Sequence, residues 1–118
     1  MEIQRWHDEP VETLTPLIGR QMIHTETMTL ARILLGRGAV VPSHVHENEQ
    51  IATVLEGRLR FDVDGEVFEV GPGQSVSLAA NVPHGVEALE DSVVLDVFSP
   101  PRGDWIRGED AYLRSGQA

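Results

Sequence analysis

His44 and His46 lie two residues apart in the stretch 38–57, GAVVPSHVHENEQIATVLEG. Side chains two apart on an extended strand point to the same face, so both imidazoles are directed at one point. Gln50, six residues after His44, has the same parity. The setting favours an extended chain: Pro42 disfavours a helix there, and Ile51-Ala52-Thr53-Val54-Leu55 is apolar and partly β-branched, as strands are. Two same-face histidines in an apolar β context call for a reason, and metal ligation is what imidazoles so placed do well. A third histidine, His84, follows in the loop-like segment Asn81-Val82-Pro83-His84-Gly85. His7 and His24 fit no such pattern and read as surface or packing residues.

Asp96 is the second chemical feature. It lies inside Val93-Val94-Leu95-Asp96-Val97-Phe98. A carboxylate in an apolar strand is costly unless it is paired or placed in a cavity. Its parity matches Val94 and Phe98, so the three share a face. Facing inward, Asp96 would have a raised pKa suited to acid/base work near neutrality; paired with an arginine, it would be structural. Arg102, just past the strand end, suits a bidentate carboxylate clamp or a solvated loop charge. Phe98 serves as a pocket wall or as core.

The elements that position these residues are short. Residues 1–16 carry scattered apolar side chains between prolines and read as an arm or edge strand. Strands are expected over 17–24, 26–35, through the histidine segment to Leu55, then 58–63, 66–70, 75–78, 86–90 and 92–98. Asp64-Gly65 is the strongest hairpin signal, and Gly36-Arg37-Gly38 and Gly71-Pro72-Gly73 are clear turns. Pro100-Pro101 ends the β region. The tail over 102–118 is expected to hold a short helix within 104–113, carrying Trp105, Ile106, Tyr112 and Leu113. Nine or ten short strands without earlier helical periodicity predict an all-β sandwich or barrel.

Composition narrows the function. With 118 residues and 41% hydrophobic side chains, one domain spanning 1–118 is expected. The net charge of −10 repels phosphate backbones and argues against a nucleic-acid partner. The absence of cysteine excludes disulfides and thiolate chemistry, and the absence of lysine excludes a Schiff base. The polar, acidic start MEIQRWHDEP has no apolar core, so neither a signal peptide nor a membrane span is expected there, and a cytoplasmic location is the default.

The spacing Gly38-x5-His44-x-His46-x3-Gln50-x6-Gly57 resembles the first cupin motif, with glutamine where that motif normally has glutamate. Gly73 and His84 match the second motif; Ala79 replaces its proline, Asn81 its glycine and Ala88 its final asparagine. Asparagine tolerates a left-handed backbone better than most residues, so the Asn81 change is mild. The resemblance implies a cupin double-stranded β-helix, or jelly-roll barrel, and usually a homodimer, for which Trp6, Ile3 and the apolar tail offer contacts. The stretch Asp96-Val97-Phe98-Ser99-Pro100-Pro101-Arg102, followed by Asp104-Trp105, resembles the tail of the KdgF-type cupins of pectin and alginate breakdown. Those proteins convert 4,5-unsaturated uronates to linear keto forms.

That resemblance implies metal ligation by His44, His46, Gln50 and His84, and catalysis by Asp96, Phe98 and Arg102. Three imidazoles and an amide oxygen suit one divalent ion such as Ni, Zn, Mn or Fe. A neutral Gln50 leaves the ion its full double charge, which favours Lewis-acid chemistry on a small sugar acid over tuned redox work. Two alternatives stay open: another metal-dependent cupin enzyme, such as a non-haem iron dioxygenase or an isomerase, and a non-catalytic cupin that binds a sugar or metabolite.

Overall fold

The computed structural model describes residues 1–114, which form ten strands and two one-turn helices. In order these are β1 (Glu12–Thr15), β2 (Ile18–His24), β3 (Thr29–Leu35), β4 (Val40–His44), β5 (Glu49–Glu56), β6 (Leu59–Val63), β7 (Glu66–Val70), β8 (Ser75–Leu78), β9 (His84–Ala88), β10 (Ser92–Ser99), α1 (Gly103–Ile106) and α2 (Ala111–Arg114). The strands make a six-stranded sheet, β1-β2-β3-β10-β5-β8, facing a four-stranded sheet, β4-β9-β6-β7. Every pairing is antiparallel. This is the all-β cupin barrel that the motifs imply.

The core lies between the sheets. Alternation supplies it: Thr29, Ala31, Ile33 and Leu35 of β3 are buried, as are Val94, Asp96 and Phe98 of β10. Leu59 and Phe61 of β6 face them from the other sheet. The Asp64-Gly65 signal closes β6 onto β7, with Val63 opposite Glu66 and both turn residues at positive φ. Asn81 takes φ 63°, the left-handed conformation that its place in the second motif requires.

The structure departs from the sequence expectations in five places. The strand expected through the histidine segment to Leu55 is broken: β4 ends at His44 and β5 begins at Glu49, with His46 in the loop between them. The strand expected at 86–90 runs from His84 to Ala88, because His84 is already paired with His44 on one side and Val63 on the other. The third histidine therefore stands on a strand rather than in a loop. The strand expected from 26 begins at Thr29, since the Thr25 side chain builds the turn before it: Met28 N donates to Thr25 Oγ1 at 3.1 Å and Thr25 N to Met28 O at 2.8 Å. The single tail helix is two separate turns, divided at Gly108, which takes φ +77°. Trp105 and Leu113 are buried in the chain's own core, so the apolar tail offers little to a partner beyond Ile106. The expected tail extends to 118, and its last four residues, 115–118, lie outside the described residues.

Candidate metal centre

Neighbouring strands bring the histidines together. His44 ends β4 and His84 opens β9, directly opposite in the ladder. His46 follows two residues after His44, and Gln50 is the second residue of β5. Asn48 anchors the connection between them: it is buried, and its Nδ2 donates to the carbonyls of Pro100 and Pro101.

Each imidazole is oriented by a carbonyl two residues away. Nδ1 of His44 donates to Pro42 O (2.8 Å), Nδ1 of His46 to Asn48 O (3.0 Å) and Nδ1 of His84 to Val82 O (2.9 Å). A carbonyl has no proton to give, so each Nδ1 carries the hydrogen and each neutral Nε2 a lone pair. Burial pushes His44 and His46 down to about 4 and lowers His84, so the rings are neutral at pH 7. Yet His46 Nε2 lies 3.2 Å from His84 Nε2 and 3.2 Å from Gln50 Oε1. Gln50 cannot turn its amide nitrogen inward without losing its bond from Nε2 to Asp96 Oδ1, at 3.0 Å. Acceptors thus crowd around one point with no proton between them. A cation resolves that arrangement, and the ligand atoms of the three histidines all lie within 4.8 Å of one another. The donor set fits a divalent ion bound by imidazole nitrogens and an amide oxygen.

Asp96 stands in the middle of β10, opposite Ala31 on one side and Ala52 on the other, so small neighbours leave it room. It is 8% exposed. Burial pushes its carboxyl up to about 7, against the opposing pull of the Gln50 hydrogen bond and the Arg102 charge. No salt bridge to Asp96 exists among the described residues, so it is a buried carboxyl that titrates near neutrality rather than half of an ion pair.

Arg102 is only 1% exposed, neither at the rim nor solvated. Its guanidinium lies over Trp105 (3.9 Å) and Phe98 (4.6 Å), so Phe98 is both core and cation platform. Nε and Nη2 grip Asp104 at 3.0 and 2.9 Å, and Nη2 also donates to the Tyr112 hydroxyl at 2.7 Å. Although burial alone would raise the Asp104 carboxyl, Arg102 holds it below its usual range. The bidentate fork is therefore engaged on Asp104. Nη1 makes no hydrogen bond among the described residues.

His44, Gln50, His84, Asp96, Phe98, Arg102, Trp105 and Tyr112 all line one cavity of about 60 Å³. Three residues around it escaped the sequence reading as site residues. Asp104 was visible only as part of the tail resemblance, Trp105 there and as a residue of the expected tail helix, and Tyr112 only as an apolar tail residue. No spacing rule could place Tyr112 over His44, since a turn at Gly108 separates it from Arg102, which itself lies past the end of β10. His24 and His7 are not part of the cluster.

A family model for the cupin domain matches residues 31–98. The pectin degradation protein KdgF of Dickeya dadantii is 31% identical over 102 residues, covering 84% of this chain and 93% of that protein. The structure of KdgF from a Halomonas species superposes with a TM-score of 0.84 at 32% identity, over 89% of this chain and 98% of that one. An RmlC-like cupin from Shewanella frigidimarina gives the same TM-score at 25% identity, over 89% and 96% of the two chains. The chain belongs to the cupin family and is similar to KdgF over most of its length.

Proposed function

We propose that this protein is a metal-dependent cupin that opens 4,5-unsaturated uronates to their linear keto forms. The observation that carries the reading is the juxtaposition, in one cavity, of His44 and His84 of the histidine cluster, a buried carboxyl free of salt bridges, and an arginine with one uncommitted arm. The similarity to KdgF, a protein named for pectin degradation, supports the substrate class.

His44, His46, Gln50 and His84 would hold the ion, which supplies Lewis acidity toward a substrate oxygen when bound. Arg102 Nη1 orients the uronate carboxylate, and Asp104 and Tyr112 hold the rest of the guanidinium still. Phe98 and Trp105 wall the site and keep water from the guanidinium face. Asp96 carries the proton. The net change moves one proton from the anomeric hydroxyl to C4 while the bond from C1 to the ring oxygen breaks and C5 becomes a ketone. A carboxyl that titrates near neutrality suits both giving and taking that proton. No oxidant or reductant is needed.

A homodimer accompanies this reading. The outer face of the six-stranded sheet presents Leu30 and Leu34 of β3, Ile51 of β5 and Val93, Leu95 and Val97 of β10, in register across three strands. Arg32 and Thr53 flank Leu95 in the middle of this face, and the apolar positions around them suit a second copy of the chain.

The test is a turnover assay with 4,5-unsaturated galacturonate, following loss of the conjugated ultraviolet absorbance with and without a chelator. Chelator-sensitive loss above the spontaneous rate is expected. No loss with protein shown to carry metal overturns the assignment.

A further inference from the structure

The cavity beside the histidines has a volume of about 60 Å³. Clefts that enclose organic ligands run to about 300–1,000 Å³. The space is well short of that range, so as it stands it does not enclose a pyranose ring. The aromatic side chains Phe61, Phe98 and Trp105 that line it are buried, whereas Tyr112 is only partly so, as are His44, Gln50 and Val86 of the same lining. Its ring packs on His44, centroids 4.5 Å apart, and its hydroxyl accepts from Arg102 Nη2 (2.7 Å) and Trp105 Nε1 (3.0 Å). Its neighbours on the chain are tied down. Leu113 is in the core, and the buried Asp110 carboxylate receives Arg20 Nη2 at 2.8 Å and Arg114 Nε at 2.9 Å.

We propose that Tyr112 decides which carboxylates reach the metal centre: small ones pass it as it stands, and a sugar acid enters only when its side chain leaves the face of His44. The inference rests on the carboxylate-binding reading given above. Moving the side chain breaks at least the two hydrogen bonds just described, one of them from a cation, and that loss falls on large ligands alone. The anchors at Asp110 and Leu113 return the ring to the same place, so a ligand once inside is shielded from water. The same hydroxyl steadies Arg102, which couples closure of the site to the aim of Nη1.

The experiment measures dissociation constants of acetate and of saturated D-galacturonate by calorimetry on the zinc-loaded, full-length protein and its Tyr112→Phe and Tyr112→Ala variants. Both variants are checked for an unchanged thermal transition, and Tyr112→Phe keeps the ring if Tyr112→Ala does not fold. Relative to acetate, galacturonate should tighten about tenfold in Tyr112→Ala, the equivalent of one charge-assisted hydrogen bond no longer broken on opening, and by less in Tyr112→Phe. An unchanged galacturonate-to-acetate ratio in both variants, or equal shifts for both anions, overturns the inference, as does a wild-type protein that binds neither anion. Turnover separates this outcome from the function. A wild type that opens unsaturated uronates but has a Tyr112-independent ratio loses only the gate. A protein with a Tyr112-dependent ratio and no turnover keeps the gate and loses the reaction.

Discussion

The amide nitrogen of Gln50 donates to Asp96 across the β5–β10 pair at 3.0 Å, and that bond decides which end of Gln50 meets the histidines. The two residues are diagonal neighbours, Gln50 opposite Phe98 and Asp96 opposite Ala52. One side chain thus belongs to both the ligand cluster and the proton carrier. Replacing Gln50 with glutamate removes the donor and sets two carboxylates against each other. In the metal-free protein at pH 8 the change should cost about 2 kcal/mol, the usual penalty for leaving a buried acceptor unpaired. Urea unfolding in the presence of chelator measures it. Equal stability of the two proteins would mean that Asp96 does not depend on Gln50.

Asp96→Asn keeps the shape and removes the proton. Turnover of unsaturated galacturonate should fall by about two to four orders of magnitude, the usual contribution of a positioned acid or base. Metal content, read by elemental analysis of the purified variant, should match the wild type. Normal activity would dismiss Asp96 as the proton carrier.

The metal-binding assignment predicts linkage. A ligand that binds only the native state stabilises it by about 4 kcal/mol at a thousandfold excess over its dissociation constant. Thermal unfolding of wild type should therefore shift upward with zinc or nickel and return on adding chelator. His84→Ala should lose the shift, while His7→Ala should keep it, because His7 lies outside the cluster. A shift that survives in His84→Ala would place the ion elsewhere.

Acid should weaken the anchoring of the tail. Arg114, reinforced by Arg20, holds the Asp110 carboxyl below its ordinary value of 3.8 despite burial. The folded pKa is the lower one, so this pair stabilises above the unfolded value and its contribution is lost as pH falls through the folded value. Asp110→Asn should cost about 3 kcal/mol at pH 7, at the low end for a broken buried pair. The gap between wild type and variant should shrink as pH drops below about 3.8. A gap that holds down to pH 2 would show that charge is not its origin.

Val97→Arg tests the dimer. Val97 is exposed at the centre of the apolar outer face, opposite Leu30 and Ile51. Light scattering after gel filtration should give twice the chain mass for wild type and the single chain mass for the variant, with the thermal transition of each recorded. Two equal masses would move the interface elsewhere or remove it.

Strand positions were readable because alternation, glycine turns and the Asp64-Gly65 hairpin are local signals, and β6, β7 and β8 fall where they predict. The histidines were readable because the motifs fix the gaps between them; the strand breaks after His44, so parity along one strand is not what aligns His46 and Gln50 with it. The inward face of Asp96 did follow from strand parity. What the sequence hid depends on chain segments that meet only in three dimensions. The Arg102 fork closes on Asp104, two residues away, but its place between Phe98 and Trp105 needs the tail folded back across the barrel. Tyr112 reaches His44 for the same reason. Arg20 was read as one residue of an ordinary strand. In fact it is 1% exposed, held by Glu12 and Asp110 and stacked near Trp105, a role that no period along β2 announces.

The three Nδ1 bonds to Pro42, Asn48 and Val82 span only two residues each. Each ligand therefore carries its own orientation device in a three-residue segment, independent of what stands across the barrel. The histidine end of the cavity is modular, whereas the opposite wall of Arg102, Trp105 and Tyr112 depends on the tail. Changes to that wall can alter the shape of the cavity without disturbing how the imidazoles are aimed. A new preference in such a barrel can thus arise by rewriting a dozen residues of tail around a histidine cluster that stays as it was.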